Sequence, residues 1–332
     1  MSGRIAINGF GRIGRGVLRA LLAQGSDLEV VAINDLTDAP TLAHLLARDS
    51  LYGKLEAPVA VDGDELVVGD RRIRILAERD PARLPWGELG VDAVLESTGF
   101  FTKAEDARKH VEAGAKRVLV SAPAKGADLT VVVGVNDSLY DPEQHVIVSN
   151  ASCTTNALAP LAKVLDDLAG IEYGSMLTVH AYTADQRLQD APHSDLRRAR
   201  AAGLNIVPTS TGAATAIGLV LPQLDGKLSG GSVRVPVPVG SIVELTATVS
   251  REVTRDEVLA AYRAAADGPL AGVLEYSEEP LVSTDIVGDP HSSVFDSELT
   301  HVDGVHVKVT AWYDNEWGFS NRAAHMLEVL SA

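Results

Sequence analysis

The first 150 residues alternate short apolar runs with segments of helical pattern. Residues 4–8 and 28–33 are short and rich in β-branched side chains, which is typical of buried strands. Helical patterns cover residues 12–24 and 103–113. Further apolar runs lie at 91–97, 117–120, 131–135 and 145–149. This alternation predicts an α/β fold with a parallel, doubly wound Rossmann-type sheet.

The second half of the chain has a different pattern, with longer and more regularly alternating apolar runs. These runs predict strands at 174–183, 232–250 and 304–314. Helical patterns cover 154–168, 211–220, 254–266 and 318–331. The mixture predicts an α+β domain in which helices back a mixed sheet.

The change of pattern near residue 150 predicts two domains, which a chain of 332 residues is long enough to form. We assign residues 1–151 and a C-terminal helix at 315–332 to the first domain, and residues 152–314 to the second. Residues 184–203 have little helical or strand periodicity. An irregular segment of that length more often serves function than simple connection.

Composition removes several classes of function. A single cysteine excludes an internal disulfide and any zinc site with two or more thiolates, and we assign no metal site. The net charge of −16 disfavours non-specific binding to nucleic acid or to anionic membranes. No apolar run reaches 18 residues and the N-terminus lacks an apolar signal core, so we expect no membrane span and a cytoplasmic location.

Three glycines form a G-x-G-x-x-G motif between the first strand and the first helix. In a dinucleotide-binding turn, Gly9 makes the tight bend, Gly11 lets the backbone approach the pyrophosphate, and Gly14 permits close helix–strand packing. Asp35 lies 21 residues after Gly14, where a carboxylate accepts hydrogen bonds from a ribose 2′-OH and repels a 2′-phosphate. The motif favours NAD over NADP. The alternative is a packing motif that binds no nucleotide.

Cys153 follows a predicted strand and precedes a predicted helix. A helix N-terminus lowers a thiol pKa and so favours the reactive thiolate, although a lone cysteine is also often a small buried residue. A nucleophilic cysteine needs a base, and nine histidines are available. His180, His301 and His306 all lie in strand-like segments, and sequence spacing does not choose between them.

Two features suit small anions. Thr211 and Gly212 begin a helical stretch, where backbone N–H groups favour an anion. Arg234 lies in an apolar strand and must pair either with a phosphate or with an acidic side chain. An arginine run at 197–200 is equally typical of a solvated helix face or a subunit contact.

Three segments together resemble the phosphorylating glyceraldehyde-3-phosphate dehydrogenases. They are Ile7–Arg15 around the glycines, Ala151–Asn156 with the sequence Ala-Ser-Cys-Thr-Thr-Asn, and Trp312–Gly318. The likeness runs from residue 4 to beyond residue 320. It implies NAD-dependent conversion of D-glyceraldehyde 3-phosphate and inorganic phosphate to 1,3-bisphosphoglycerate, with no nucleic-acid partner.

The resemblance also implies residue roles. Cys153 is then the nucleophile, and His180 is its base. The implied site for the substrate phosphate comprises Thr183 and Arg234. The implied site for the attacking phosphate comprises Ser152, Thr154, Arg197, Thr211 and Gly212. The implied cofactor contacts are Gly9, Gly11, Arg12, Ile13, Gly14, Asp35, Arg79, Ser121 and Asn315. Residues 184–203 correspond to the S-loop, which reaches a neighbouring subunit in a homotetramer.

Two departures from the family pattern bear on function. Ala157 replaces a second cysteine that many members have, and we infer that this thiol is dispensable. Ala191 replaces a leucine common in NAD-specific members, which predicts NAD preference with weaker exclusion of NADP. Two alternatives remain at this stage: an erythrose-4-phosphate dehydrogenase on the same scaffold, and an NAD-binding redox sensor without catalysis.

Overall fold

The computed structural model describes residues 3–332, which divide into two compact units. The first comprises the residues up to Val131, Leu139–Ala151 and Ser320–Ala332, and the second comprises Val132–Ser138 and Ser152–Phe319. This division differs from the predicted domains at 132–138 and 315–319, which group with the second unit. Among the described residues, no helix combines the length and apolarity needed to cross a membrane.

The first unit is built on a nine-stranded sheet. Its strands and the small β3–β4 pair are β1 Arg4–Asn8, β2 Glu29–Asn34, β3 Arg48–Asp49, β4 Gly53–Lys54, β5 Val59–Asp62, β6 Glu65–Val68, β7 Arg71–Leu76, β8 Ala93–Glu96, β9 Arg117–Val120, β10 Leu129–Thr130 and β11 Ile147–Ser149. Its helices are α1 Arg12–Ala23, α2 Ala39–Ala47, α3 Ala104–Ala107 and α4 Lys109–Glu112.

The strand order in this sheet is β10-β11-β9-β8-β1-β2-β7-β6-β5. All neighbours pair in parallel except β5–β6 and β6–β7, which form an antiparallel edge. The predicted α/β architecture is therefore confirmed. The edge strands were not predicted, although Gly63-Asp64 between β5 and β6 is a hairpin signal and Gly63 has a φ of +62°.

One predicted strand of the first half is wrong. Residues 131–135 contain three buried valines, but the strand covers only Leu129–Thr130. Asn136 Oδ1 accepts from the Val132 N–H at 2.8 Å, and Asp137 Oδ1 accepts from the Gly134 N–H at 2.8 Å. Short polar side chains thus offer this backbone a turn that competes with the sheet.

The second unit contains a mixed sheet, as predicted. Its strands are β12 Ile171–Ala181, β13 Val207–Thr209, β14 Leu228–Val235, β15 Ser241–Val249, β16 Leu274–Ser277, β17 Ser293–Asp296, β18 His301–Asp303 and β19 His306–Tyr313. Its helices are α5 Cys153–Ala169, α6 Ala213–Val220 and α7 Arg255–Ala266, and the helix α8 Trp317–Ser331 ends the chain.

The strand order in the mixed sheet is β13-β14-β12-β15-β19-β17-β16, with β18 paired to β19. The predicted strand 232–250 is in fact two, because the chain turns between β14 and β15 at Gly240, where φ is +84°. A Cβ at Gly240 would lie 2.3 Å from the Ser283 carbonyl oxygen, so only glycine fits. Residues 184–203 form neither helix nor strand, in agreement with the prediction.

Candidate functional site

Cys153 is the first residue of α5 in the second unit. Ser152 caps this helix, because its Oγ accepts from the Thr155 N–H at 3.0 Å. Ala151, just before the cap, has a φ of +56°, and it is the one non-glycine residue with positive φ in the described chain. Such a conformation costs roughly 1–3 kcal/mol and is typical of functional turns. The strained turn leaves Cys153 partly exposed while Thr154 is buried.

His180 lies near the end of β12 and is buried. Its Nε2 is 3.4 Å from the Cys153 Sγ. The parallel pairing of β12 with β14 places Arg234 opposite His180, and Arg234 Nη1 is 2.6 Å from the imidazole Nδ1. The Ala181 carbonyl oxygen is 2.7 Å from the same Nδ1 and accepts from Arg234 Nη1 at 2.9 Å. The sheet register therefore brings base and cation together beside the thiol.

Burial sets the protonation of this pair. Loss of solvation, with a further contribution from the Arg234 charge, lowers the pKa of His180 to about 3. Burial also raises the pKa of the Cys153 thiol above its ordinary value, although Arg234 and the Thr154 backbone N–H oppose that rise. The prediction that the helix terminus sets a net lowering of the thiol pKa is therefore wrong, because burial outweighs it.

Arg234 forms no direct ion pair within residues 3–332: Asp185, the carboxylate that stabilises its charge from a distance, pairs with Arg198 instead. The buried Arg234 Nε has no hydrogen-bond partner in that part of the chain. Burial lowers the pKa of Arg234 from its ordinary value, although the nearby thiol opposes this. The alternative in which Arg234 pairs with an acidic residue is not what the structure has. A half-buried guanidinium in this state is suited to an anion.

The arginine run is arranged differently from the prediction. Arg197 is exposed, and its backbone N–H donates to Asp195 Oδ1 at 2.8 Å. Arg198 instead turns inward: its Nε donates to Thr209 Oγ1 at 2.8 Å and its Nη1 pairs with Asp185 at 2.6 Å. The Arg198 charge also contributes to the lowered pKa of His180. The residue of the run that lies toward the thiol site is therefore Arg198 rather than Arg197.

The other predicted anion contacts lie at the ends of elements in the same unit. Thr211 Oγ1 accepts from the Ala213 N–H at 3.1 Å, and Gly212 is the exposed N-terminal cap of α6. Thr183 is partly exposed two residues after β12 ends, and its carbonyl accepts from the Gln186 N–H at 2.9 Å. Gly212 has no side chain to cap α6, so backbone N–H groups at this helix start are available to an anion.

Sequence reasoning missed the hydroxyl groups that support the site. Tyr313 donates to or accepts from Thr154 Oγ1 at 2.9 Å and Thr178 Oγ1 at 2.8 Å, and its ring meets His180 edge-on at 5.9 Å. Ser241 Oγ accepts from the Ala181 N–H at 3.0 Å and donates to Asn315 Oδ1 at 2.8 Å. Tyr313 lay within a segment that carried the family resemblance, but its partners come from distant elements.

In the first unit, Gly9 and Gly11 line a cavity of about 470 Å³. Gly9 has a φ of +93°, which favours glycine, and a Cβ at Gly14 would lie 2.2 Å from the Gly9 carbonyl oxygen. A Cβ at Gly11 would meet nothing within 4 Å, so the backbone there faces open space. No side chain caps α1 at its start. This cradle fits a pyrophosphate.

Asp35 and Arg79 also line this cavity. The Asp35 carboxylate is held by the Phe10 N–H at 2.8 Å and the Thr37 N–H at 2.9 Å, a position that fits a ribose diol. Other predicted contacts lie elsewhere. The Arg12 guanidinium pairs with Asp49 and lies over the Tyr52 ring, and Ile13 follows it in the first turn of α1. Ser121 Oγ donates to the Glu96 carbonyl oxygen at 3.1 Å.

A parallel sheet that leads through a glycine turn into a helix is a dinucleotide-binding fold, and a thiol beside an imidazole provides covalent chemistry on carbonyl groups. Together these features define a dehydrogenase of the two-domain, pyridine-nucleotide-dependent class. Comparison with known families makes the class specific. The chain belongs to the glyceraldehyde-3-phosphate dehydrogenase family, whose NAD binding domain matches residues 3–104 and whose C-terminal domain matches residues 152–315.

Curated relatives resemble the chain over almost its whole length. A glyceraldehyde-3-phosphate dehydrogenase of Kitasatospora aureofaciens is 73% identical over 329 residues, which cover 99% of each chain. Glyceraldehyde-3-phosphate dehydrogenase 2 of Streptomyces arenae is 62% identical over 332 residues, covering 100% of this chain and 99% of that one. A glyceraldehyde-3-phosphate dehydrogenase of Mycobacterium bovis is 60% identical over 336 residues, covering 99% of each.

Proposed function

We propose that this protein catalyses the NAD-dependent oxidative phosphorylation of D-glyceraldehyde 3-phosphate to 1,3-bisphosphoglycerate. The observation that carries the proposal is the contact of Cys153 Sγ with His180 Nε2 at 3.4 Å, beside the half-buried guanidinium of Arg234. A nucleophile, a base and an anion-binding cation are the three groups that this reaction needs on one side of its substrate.

Cys153 and His180 carry the covalent chemistry. The sulfur bonds to the aldehyde carbon while the thiol proton passes through His180 Nε2 to the carbonyl oxygen, which gives a hemithioacetal. His180 then removes the hydroxyl proton as a hydride leaves the same carbon, which leaves a thioester. Bound NAD supplies the acceptor for that hydride. A phosphate oxygen attacks the thioester carbon, the carbon–sulfur bond breaks, and the proton held by His180 returns to sulfur.

Two anion sites are proposed for the two phosphates. We assign the substrate C3 phosphate to Arg234 and Thr183, since Arg234 has no acidic partner. We assign the attacking phosphate to Arg198 in place of Arg197, because Arg198 is the inward-facing arginine. The remaining contacts in this second site are the helix-start residues Ser152, Thr154, Thr211 and Gly212.

We assign NAD to the glycine-lined cavity, with the pyrophosphate at Gly9, Gly11, Gly14 and the start of α1. Asp35 binds the adenosine ribose, and Arg79 lies in the same lining. The Arg12 guanidinium is engaged with Asp49, so we assign Arg12 and Ile13 to the cofactor through the helix start. In the second unit, Ser241 Oγ donates to Asn315 Oδ1, which leaves the N–H groups of the Asn315 amide as the donors that we assign to the nicotinamide carboxamide.

A homotetramer is proposed from the surface of residues 184–206. Leu188, Leu196 and Leu204 are each 80–86% exposed, and Ile206 is 71% exposed. Large apolar side chains grouped in one irregular segment are typical of a subunit contact. We further propose that the tetramer works in the cytoplasm. Sedimentation equilibrium tests the assembly, and a monomer at micromolar concentration would contradict it.

The test of the proposed function is NADH formation from glyceraldehyde 3-phosphate with and without inorganic phosphate. We expect turnover that requires phosphate. Phosphate-independent activity on erythrose 4-phosphate would indicate the erythrose-4-phosphate dehydrogenase instead, and NAD binding without NADH formation would indicate a redox sensor. Comparing kcat/KM for NAD and NADP tests the role of Asp35. We expect a preference for NAD, with weaker exclusion of NADP than a leucine in place of Ala191 would give. Equal or better use of NADP would contradict the role of Asp35.

A further inference from the structure

Beneath the glycine-lined cavity, the first unit buries a polar cluster that the proposed reaction does not use. Trp86 and His110 are each 0% exposed and Glu96 is 2% exposed. Neither Trp86 nor His110 lines the cavity. Burying this many polar atoms is unfavourable unless each is matched to a partner, so the partners define what the cluster does.

The contacts of His110 determine which of its nitrogens carries the proton. Trp86 Nε1 lies 2.9 Å from His110 Nδ1, and an indole N–H is a donor only. Nδ1 must therefore accept, which leaves the proton on Nε2. His110 Nε2 lies 2.9 Å from Glu96 Oε2 and donates to it. The imidazole is thus held in one tautomer, and it holds the carboxylate in turn.

Both carboxylate oxygens of Glu96 accept hydrogen bonds from residues that line the cavity. Oε2 also accepts from Asn8 Nδ2 at 2.6 Å, and Oε1 accepts from the Thr98 N–H at 2.8 Å and from Thr98 Oγ1 at 2.5 Å. Asn8 Oδ1 in turn accepts from Asn34 Nδ2 at 2.7 Å. Asn8, Asn34 and Thr98 all line the cavity.

Asn34 extends the chain of bonds to a further lining residue. Its Oδ1 accepts from the Glu78 N–H and its Nδ2 donates to the Glu78 carbonyl, both at 2.8 Å. The hydrogen bonds therefore run without a break from the apolar cluster around Trp86 to four separate segments of the cavity wall.

We propose that His110 is a positioning residue for the dinucleotide: by donating from Nε2 to Glu96, it fixes Asn8, Thr98 and Asn34 in the geometry that binds NAD. The inference rests on the proposed assignment of NAD to this cavity. His110 touches no cofactor atom in this scheme, so its effect falls on affinity for NAD and leaves the thiol chemistry unchanged.

Two variants of one residue test the proposal. The amide nitrogen of His110→Gln reaches about as far as Nε2 and retains a donor for Glu96, whereas the shorter His110→Asn offers a group only near the Nδ1 position. We expect His110→Asn to raise KM and Kd for NAD about tenfold, with kcat at saturating NAD and KM for glyceraldehyde 3-phosphate within twofold of the wild type. We expect His110→Gln to stay within about threefold of the wild-type affinity.

The result that overturns the proposal is equal NAD affinity in the two His110 variants, or a loss in each that follows only its fall in Tm. A reference variant, Asp35→Ala, tests the cavity assignment separately. If Asp35→Ala weakens NAD binding and His110→Asn does not, the positioning role fails and the proposed function stands. If neither weakens it, the cavity assignment fails as well.

Thr98 provides a second pair of variants at a partly exposed position, should His110→Asn not fold. Thr98→Val removes the Oγ1 donor to Glu96 with little change of shape, and Thr98→Ser retains that donor. We expect the valine variant to bind NAD about threefold to tenfold more weakly than the serine variant. Equal affinity of the two Thr98 variants would overturn the proposed link between Glu96 and the cavity.

Discussion

Two buried histidines in this molecule have opposite hydrogen-bond environments. At His110 in the first unit, Trp86 donates to Nδ1 and Glu96 accepts from Nε2, so one tautomer satisfies both nitrogens. Asn8 Nδ2, at 3.4 Å from Nε2, donates to Glu96 instead. His180 in the second unit faces a donor and an acceptor at the same nitrogen: Arg234 Nη1 at 2.6 Å and the Ala181 carbonyl at 2.7 Å both approach Nδ1.

The difference separates a positioning imidazole from one that moves protons. When His180 Nδ1 donates to Ala181, Nε2 accepts a proton from sulfur. When Nδ1 accepts from Arg234, Nε2 carries the proton toward sulfur, and the Ala181 carbonyl still accepts from Arg234 at 2.9 Å. Nδ1 therefore has a hydrogen-bond partner in either tautomer, although only the second also gives an acceptor to the Arg234 N–H that faces the imidazole.

The largest expected effect is at the thiol, which lies against Nε2 of His180 and has no counterpart at His110. We expect Cys153→Ser to lower kcat by about 10⁴-fold or more, because an alcohol beside a neutral imidazole is a far weaker nucleophile and a poorer leaving group than a thiol. NADH formation measures it, with NAD affinity as the control for folding. Retained turnover would contradict the assignment of the nucleophile.

The second test removes the imidazole that exchanges its proton. His180→Asn lacks the Nε2 that contacts sulfur, and we expect kcat to fall by about 10²- to 10⁴-fold. Alkylation of Cys153 by iodoacetamide should also slow at neutral pH. Burial raises the pKa of the Cys153 thiol. Without a neighbouring base to take the thiol proton, the fraction of Cys153 present as thiolate in this variant is set by that pKa and the pH of the solution. An alkylation profile against pH that matches the wild type would mean that His180 does not activate the thiol.

The third test uses two adjacent arginines as a matched pair. Arg198 faces inward and contributes to the field at His180, whereas Arg197 is exposed. We expect Arg198→Gln to raise KM for inorganic phosphate about tenfold and Arg197→Gln to change it by less than about twofold. Steady-state assays at varied phosphate measure both. A larger rise in KM for phosphate in Arg197→Gln than in Arg198→Gln would assign the second anion site to Arg197.

The smallest effect concerns stability against pH. Burial and the Arg234 charge lower the pKa of His180 to about 3. As the pH falls through about 6.5, the unfolded chain therefore binds a proton at His180 while the folded chain does not. Neutral His180 therefore costs the folded state nothing above about pH 6.5, and the free energy of unfolding declines as the pH falls from there toward 3, with a slope of at most about 1.4 kcal/mol per pH unit. Urea unfolding between pH 4 and pH 8 measures the slope. His180→Asn should flatten it, and an unchanged slope would contradict the lowered pKa.

Local patterns predicted much of the fold. The glycine turn, the helices on either side of the domain boundary and the parallel core strands follow from period and turn residues, which act over a few positions. The strand expected at 131–135 failed because Asn136 and Asp137 bond back to the preceding backbone. The β5–β7 edge was missed because β5 and β6 have only four residues each and β7 interrupts its apolar residues with arginines.

The sequence by itself determined the parts of the site that are contiguous: Gly9, Gly11 and Gly14 in one turn, and Cys153 at a helix start. The tertiary structure decided what lies against them. The residue beside His180 depends on the register of β12 with β14, and the inward arginine depends on how residues 184–206 fold back on Thr209. Burial then reversed the expected thiol pKa, because the dielectric environment of a side chain comes from residues remote in sequence.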